Sequence, residues 1–317
     1  MVPPTIPLTV EMSAAEALRS ILLVQLNQIE YRLPKVLEDR DPRHLHKFRV
    51  ALRRSRSALK QLKNLFPRKQ LKPHRLQLTH LMKLSNPVRD FDVFLLDAND
   101  LRILLPKEKQ GDLDFFFGKV RLERDKAFKT LAGSLTSVET GEALHRWRRY
   151  LTEEAGSKGH RTKKGRRPVA RIAHKRLHRQ LETVTRGLTS CTEATPEAEV
   201  HSLRIECKKL RYLLEFFTPL FPKEEVEECI QQVKQLQNNL GAFNDRCVQL
   251  AFVESYLNPY STHGNPSRED RDTLYALAVA LHQKREQEKS AFLLTSKCYL
   301  AEKCWKPFEN LIDTLQH

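Results

Sequence analysis

Basic residues and a histidine recur at helical spacing in one short segment of the sequence. At about 100° per residue, a helix brings them onto one face and leaves apolar side chains on the other. Arginine forks and lysine ammonium groups aligned in this way bind phosphate groups. The segment therefore predicts an anion-binding helix. Its candidate binding residues are His46, Arg49, Arg53, Arg54, Arg56 and Lys60.

The same pattern returns 155 residues later, because the segment from His201 to Arg211 repeats the segment from His46 to Arg56. No gap is needed between the copies. A repeat of this length predicts two homologous antiparallel helical bundles related by a pseudo-two-fold axis. The candidate binding residues of the second copy are His201, Arg204, Lys208, Lys209, Arg211 and, at the border of the basic face, Tyr212.

The first basic face fits a linear chain of phosphates better than a merely solvated helix surface. From His46 to Arg56 it rises roughly 15 Å along a helix. A solvated face normally mixes acids and bases at i,i+4 spacing, whereas this one is purely basic. Surrounding cations disfavour protonation of the histidine, so we expect it to act as a neutral hydrogen-bond donor. In the second copy Glu215 replaces Lys60, which weakens the argument there.

Two aspartates, Asp90 and Asp245, each follow the histidine of their copy by 44 residues. Helix capping is one interpretation. The alternative is that each carboxylate, with Arg89 in the first copy, supports the basic face from behind. Neither aspartate has a second repeated carboxylate at a spacing suited to a catalytic metal, so we expect no metal site and no cofactor.

Helical periodicity runs from end to end, and the sequence therefore predicts an all-α fold. Asp41-Pro42 is expected to start the first basic helix. We expect one bundle over 1–155, a flexible basic linker over 156–167 and a second bundle over 168–317. Further helices are expected at about 71–85, 88–97, 107–133, 140–155, 196–217, 223–241, 244–258, 267–289 and 290–316.

The amino-acid composition restricts the possible partners and the location of the protein. Fifty-five Lys and Arg against 39 Asp and Glu leave a net charge of +16, which implies a polyanionic partner. No glycine-rich phosphate loop of the nucleotide-binding kinds occurs. Cysteines without a CxxC pair suggest reduced thiols, and no apolar run suits a bilayer. A cytoplasmic protein without a membrane partner is expected.

The motifs that begin at His46 and His201, with the downstream segments 88–93 and 240–245, resemble the CHAD family, the conserved histidine α-helical domain. The resemblance extends over about residues 12–316. It implies helical bundles around a basic cavity or groove that binds inorganic polyphosphate, and association with polyphosphate granules. The chain resembles a stand-alone member, because the Glu-x-Glu-x-Lys chemistry of the CYTH domain is missing. Glu215 and Asn244 depart in charge from Lys60 and Arg89, so weaker binding is expected in the second half.

Three other function classes compete with a non-enzymatic polyphosphate-binding protein. A nucleic-acid or general polyanion-binding protein suits the charge, although base stacking calls for aromatic rings among the cations. A phosphoryl-transfer enzyme would need acidic metal ligands beside the basic face. A structural protein of the granule, with a protein partner, is the third.

Overall fold

The computed structural model describes residues 8–154, 161–258, 267–299 and 302–316, and this part of the chain is helical without a β-strand. A single isolated bridge joins Ser13 to Pro168. The all-α prediction is therefore confirmed. None of the described helices is both long enough and apolar enough to cross a membrane.

Among the described residues, six α-helices lie in the first half of the chain and five in the second. Short 3-10 turns lie at 107–109, 111–113, 218–220 and 314–316, and a π-helical turn follows α6. The helices of the first half are α1 Ala14–Leu37, α2 Pro42–Gln61, α3 Arg68–Leu96, α4 Ala98–Ile103, α5 Asp114–Leu135 and α6 Val138–Arg149. Those of the second are α7 Val169–Thr189, α8 Glu197–Phe217, α9 Lys223–Leu257, α10 Arg268–Cys298 and α11 Glu302–Asp313.

The helix α2, which carries the first basic segment, starts as predicted. Asp41 accepts a hydrogen bond from the backbone N–H of Arg43, and Pro42 occupies the first helical position, where its missing N–H has no intrahelical partner to lose. Its apolar face is buried as the periodicity predicts. The same holds for α8, and the predicted core residues of the two helices that are buried are Phe48, Leu52, Leu59, Leu203, Leu210, Leu214 and Phe217.

Two predicted breaks are absent. The helices expected at 71–85 and 88–97 are one helix, α3, which continues through Pro87. Those expected at 223–241 and 244–258 are likewise one helix, α9, in which Gly241 is an interior residue. Proline and glycine disfavour a helix interior, but Val88 and Leu240 beside them are fully buried. Burial on both sides of each position stabilises the continuous helix.

The remaining differences concern helix ends. The helix expected from 107 begins at Asp114, after two 3-10 turns. The break expected at 289/290 lies instead between α10 and α11. Charged residues are dense near 284–290, but the helix continues past them because its apolar positions, such as Phe292, are still buried.

The helices pack in the same succession in each half. α1 packs on α2, α2 on α3 and α3 on α5, while α7 packs on α8, α8 on α9 and α9 on α10. The two basic helices, α2 and α8, also contact each other across the halves. One large apolar core includes residues of both halves. A second, smaller core joins the end of α3 to α9 and α10. The ring centroids of Phe94 and Phe252 lie 4.3 Å apart there.

The segment predicted as a flexible linker is packed where the structure describes it. Residues 156–160 lie outside the described residues. In 161–167, the carbonyl of Gly165 accepts from the N–H of Ala15 at 2.9 Å, and the N–H of Thr162 donates to Leu65 O at 3.2 Å. A Cβ on Gly165 would lie 2.3 Å from that carbonyl oxygen of Leu65. This close approach requires a residue without a side chain.

Candidate anion-binding site

A cavity of about 640 Å³ opens where α2, α3 and α8 meet. Six cationic side chains line it, three from α2, one from α3 and two from α8. Among the described residues that line it, none is acidic. The cations are Arg53, Arg56, Lys60, Arg75, Lys208 and Lys209.

Polar groups that are not ionised complete the lining. Ser57 and Thr79 contribute hydroxyl groups, and Asn86 contributes an amide. His201 and Tyr212 line the cavity as well. Hydroxyl and amide N–H groups donate hydrogen bonds to phosphate oxygens. The cavity therefore combines positive charge with neutral donors, a combination suited to a phosphate-containing anion.

The positive charges around the cavity repel one another. The pKa of Lys208 is lowered to about 8, first by burial and then by the neighbouring Arg204 and Arg53, against a smaller opposing effect of Asp245. A cation whose protonated form is disfavoured in the free protein gains when an anion arrives, because an opposite charge favours the charged form. Lys208 is thus a direct indicator of positive potential in the cavity.

The two repeated basic faces meet at this one cavity. Seven of the predicted binding residues line it: Arg53, Arg56, Lys60, His201, Lys208, Lys209 and Tyr212. The repeat predicted two faces but not that they would face each other. Their meeting follows from the contact between α2 and α8.

Arg49 has a different place from the one predicted, because its side chain is only 6% exposed. Its Nη1 donates to Ser85 Oγ at 3.0 Å and to Asn86 Oδ1 at 2.8 Å. Burial lowers its pKa to about 10. The predicted direct contact with a ligand is therefore corrected: α3 packs over this edge of α2, and Arg49 joins the two helices.

Its counterpart Arg204 is also withdrawn from the cavity. Arg204 Nη2 lies 3.5 Å from Asp245 Oδ1. Burial lowers the pKa of Arg204, and Asp245 partly offsets that effect. The described cavity lining does not include Arg204, and its contact with a ligand stays a prediction.

Arg54 and Arg211, two further predicted binding residues, are engaged by Glu215. Arg54 Nη2 lies 3.1 Å from Glu215 Oε2, and Arg211 Nε lies 3.4 Å from Glu215 Oε1. The carboxylate that replaces Lys60 in the second copy therefore joins α2 to α8 between the halves. The described cavity lining includes neither arginine, and their direct contact with a ligand stays a prediction.

His46 lies outside this lining, with an exposed side chain. Its pKa is lowered, first by partial burial and then by Arg89, Arg53 and Arg49. The expected effect of the surrounding cations is confirmed, although burial is the larger cause. The predicted contact between His46 and a ligand stays a prediction.

His201 is oriented by a neighbour on α9. Its Nδ1 lies 2.5 Å from Asn244 Oδ1. With the amide oxygen assigned as the acceptor, Nδ1 carries the proton in this contact. The contact fixes the orientation of the imidazole ring at the edge of the cavity.

The repeated aspartates do not cap helices, because Asp90 lies inside α3 and Asp245 inside α9. Burial raises the pKa of Asp90, and Arg49 and Arg89 oppose that rise. Burial also lowers the pKa of Arg89, while Asp92 and Asp90 raise it. These mutual effects agree with the second interpretation, in which the aspartates support the arginines behind the basic face.

Sequence reasoning missed the contribution of α3. Arg75, Thr79 and Asn86 line the cavity, but the residues 155 positions later are Ile230, Lys234 and Gly241. A search for repeated residues passes over them. Their signal is the helical spacing that puts all three on one face of α3.

The described residues contain no group of three or more His, Cys, Asp and Glu side chains that could hold a metal ion.

Comparison with known proteins agrees with this fold. The family model described as the CHAD domain matches residues 20–254. The crystal structure of the CHAD domain from the plant Ricinus communis is similar, with a TM-score of 0.72 and 20% identity over 93% of this chain and 96% of that one. PptA from Streptomyces chartreusis is similar with a TM-score of 0.61 and 16% identity, over 93% of this chain and 100% of that one. No curated protein sequence matches the chain.

Proposed function

The chain belongs to the CHAD family, and we propose that it binds inorganic polyphosphate in the cavity between α2, α3 and α8. The observation that carries the proposal is the concentration of charge: six cations from three helices line one cavity, and none of its described lining residues is acidic. A polymer with a negative charge on every repeating unit matches such a surface.

The chemistry of the lining suits a chain of phosphates. Each arginine fork can engage two oxygens of one phosphate, and each lysine offers a point charge. A single exposed pair contributes at most about 1 kcal/mol. Several pairs on one polymer act together through avidity and counterion release. The two repeated helices, in contact with each other, present their cations to the same chain.

Nucleic acid is the alternative polyanion. Proteins that bind single strands without sequence preference stack bases on aromatic side chains. The rings in the described cavity lining are those of Tyr212, whose side chain is 3% exposed, and His201. A base would therefore find no exposed phenyl, phenol or indole ring there. The lining therefore favours phosphates without bases.

We also propose that the chain is a binding protein rather than an enzyme. Phosphoryl transfer relies on acidic residues that hold metal ions near the phosphate. The carboxylates near the cavity are paired with cations: Glu206 with Lys209, Glu215 with Arg54, and Asp245 with Arg204. Their arrangement suits the positioning of basic groups.

The proposal also covers the symmetry between the two halves and the location of the protein in the cell. The same succession of helix packing in both halves supports a pseudo-two-fold relation between them, with α2 and α8 at its centre. Binding of long polyphosphate would direct the protein to polyphosphate granules in the cytoplasm.

A paired titration tests the proposed function. The doubly substituted protein Arg53→Glu/Arg56→Glu is titrated with long-chain polyphosphate and with single-stranded DNA of matched length. Phosphate release is followed in the same tubes. Lys126→Glu/Lys129→Glu on α5 is the control, because it makes the same charge change at two exposed positions at similar spacing.

We expect the native protein to prefer polyphosphate over DNA, to release no phosphate and to lose affinity steeply with salt. The cavity variant should lose at least about tenfold in affinity, since several phosphates lose their cations together. The control should change little. An equal loss of affinity in the cavity variant and the control would mean that the cavity is only part of a general basic surface. Steady phosphate release would identify an enzyme.

A further inference from the structure

A second basic groove of about 300 Å³ lies beside the cavity, between the end of α2, α7 and α8. Lys60 and Lys209 line both, so the two are continuous across these side chains. Three more cations belong to the groove alone: Lys63, Arg176 and Arg179. The repeated segments contain none of these three, so the proposed function does not account for them.

The charge of the groove is not neutralised within the described part of the chain. Its one described acidic residue, Glu206, pairs with Lys209 and also accepts from Gln180 Nε2 at 2.8 Å. No ion pair among the described residues involves Lys63, Arg176 or Arg179. Three cations thus face the groove without a carboxylate partner.

The groove lies on a packed helix. Leu181, on the opposite side of α7 from Arg176 and Arg179, is buried, which turns the face that carries both arginines away from the core. Lys164, in the packed segment after residue 160, donates from Nζ to Lys63 O at 3.2 Å. This contact holds a further cation beside the groove.

The cations of this region act on one another. Burial lowers the pKa of Arg176, and Arg179 lowers it further. The pKa of Lys164 is lowered by burial and then by Arg176, Lys175 and Lys63. The neighbouring charges that lower these two pKa values are all positive. Mutual repulsion of this kind is relieved by an anion.

We propose that the groove is a second subsite, which holds the continuation of a polyphosphate chain that leaves the cavity past Lys60 and Lys209. The inference rests on the proposed function, because the cavity supplies the first part of the chain. A polymer long enough to occupy both sites gains the second as an intramolecular step. A short polyphosphate occupies only the cavity, so the groove makes affinity depend on chain length.

The test compares two probes, tripolyphosphate and long-chain polyphosphate, on the full-length protein. The groove variant is Arg176→Glu/Arg179→Glu, with the neutral Arg176→Gln/Arg179→Gln as a milder second variant. Lys126→Glu/Lys129→Glu on α5 is again the control, with the same spacing and charge change. Circular dichroism and thermal melts verify that each variant is folded.

We expect the groove variants to lose affinity for long-chain polyphosphate by about tenfold, through loss of the second contact, and to keep the native affinity for tripolyphosphate. Unchanged long-chain affinity in both groove variants would overturn the second subsite. Equal losses for both probes would also overturn it, because the effect would then be general electrostatics.

The cavity variant Arg53→Glu/Arg56→Glu separates the two proposals. If this variant loses affinity for both probes while the groove variants keep their affinity for both, polyphosphate binding stands and the second subsite fails. If the cavity variant binds both probes as the native protein does, the proposed function itself fails.

Discussion

Lys208 shows how strongly a single residue can report on the cavity. Its pKa is lowered to about 8, below the ordinary value of 10.5, by burial and then by Arg204 and Arg53. Near neutral pH it is still mostly protonated, whereas above pH 8 it is mostly neutral in the free protein. A bound anion raises this pKa again, because it favours the charged form.

Polyphosphate affinity should therefore fall as the pH rises through about 8, and binding there should take up a proton. One coupled proton limits the fall to about tenfold per pH unit. Calorimetric titrations between pH 7 and pH 9.5, in buffers of different ionisation enthalpy, measure both effects. Lys208→Arg, whose guanidinium stays charged, should have a flatter profile. An equally steep profile in that variant would assign the titration to another group.

The face of α2 that carries Arg49 could be predicted from the sequence, but the partners of its side chain could not. Its spacing from His46 and Arg53 placed it correctly on the basic side of α2, but no spacing within α2 could reveal that α3 covers it. Ser85 and Asn86, which accept its hydrogen bonds, are more than thirty residues away in the sequence. Periodicity predicts which way a side chain points, whereas its partner depends on the packing of another helix.

At the scale of elements, residues 161–167 before α7 are hydrogen-bonded to the start of α1 and to the chain after α2. The carbonyl of Gly165 accepts from the N–H of Ala15, and a Cβ at Gly165 would lie 2.3 Å from Leu65 O. A backbone oxygen cannot move aside as a flexible side chain can. Within the segment that was expected to be a flexible linker, Gly165 thus serves close packing.

Gly165→Ala should lower the free energy of unfolding by about 1–3 kcal/mol, the usual cost of overpacking. Gly118→Ala on α5 is the matched control, because a Cβ there meets nothing within 4 Å. That control should raise stability by up to about 1 kcal/mol, since alanine favours a helix interior. Urea denaturation of both variants provides the comparison. An undiminished stability of Gly165→Ala would show that the segment can shift without cost.

Helices could be predicted where apolar residues recur at helical spacing over a long stretch. The ends of the helices could not. The interior of α2 and α8 followed from their buried faces. The breaks expected at Pro87 and Gly241 did not occur, because local preference for a break is worth about 1 kcal/mol for glycine and about 3 for proline. Burial of neighbours such as Val88 and Leu240 outweighs it, and burial depends on helices that local sequence does not identify.

At the scale of the whole molecule, Glu215 connects the halves. It lies between Arg54 of α2 and Arg211 of α8, at 3.1 and 3.4 Å. From the sequence alone it counted as a loss of positive charge in the second copy. In the structure it holds two arginines away from the cavity and stabilises the contact between the repeated helices.

Glu215→Gln should lower the free energy of unfolding by about 1 kcal/mol and raise polyphosphate affinity, because two arginines lose their carboxylate partner. Glu142→Gln is the control. It removes the exposed i,i+4 pair with Arg146 on α6 and should change stability by less than about 0.5 kcal/mol, with affinity unaltered. Denaturation and polyphosphate titration of both variants measure these changes. A fall in affinity in Glu215→Gln would mean that the carboxylate positions the cavity rather than competes with it.

The exchange of lysine for glutamate between the copies also has a consequence for the pairing of the halves. In a dimer built from two first halves, with the proposed symmetry, Lys60 would stand where Glu215 stands, opposite Arg54 and beside Arg56. Three cations would then meet at the centre of the assembly with no acid among them. The first half therefore depends on the second for the acid at this contact, because Glu215 is the carboxylate that pairs with Arg54.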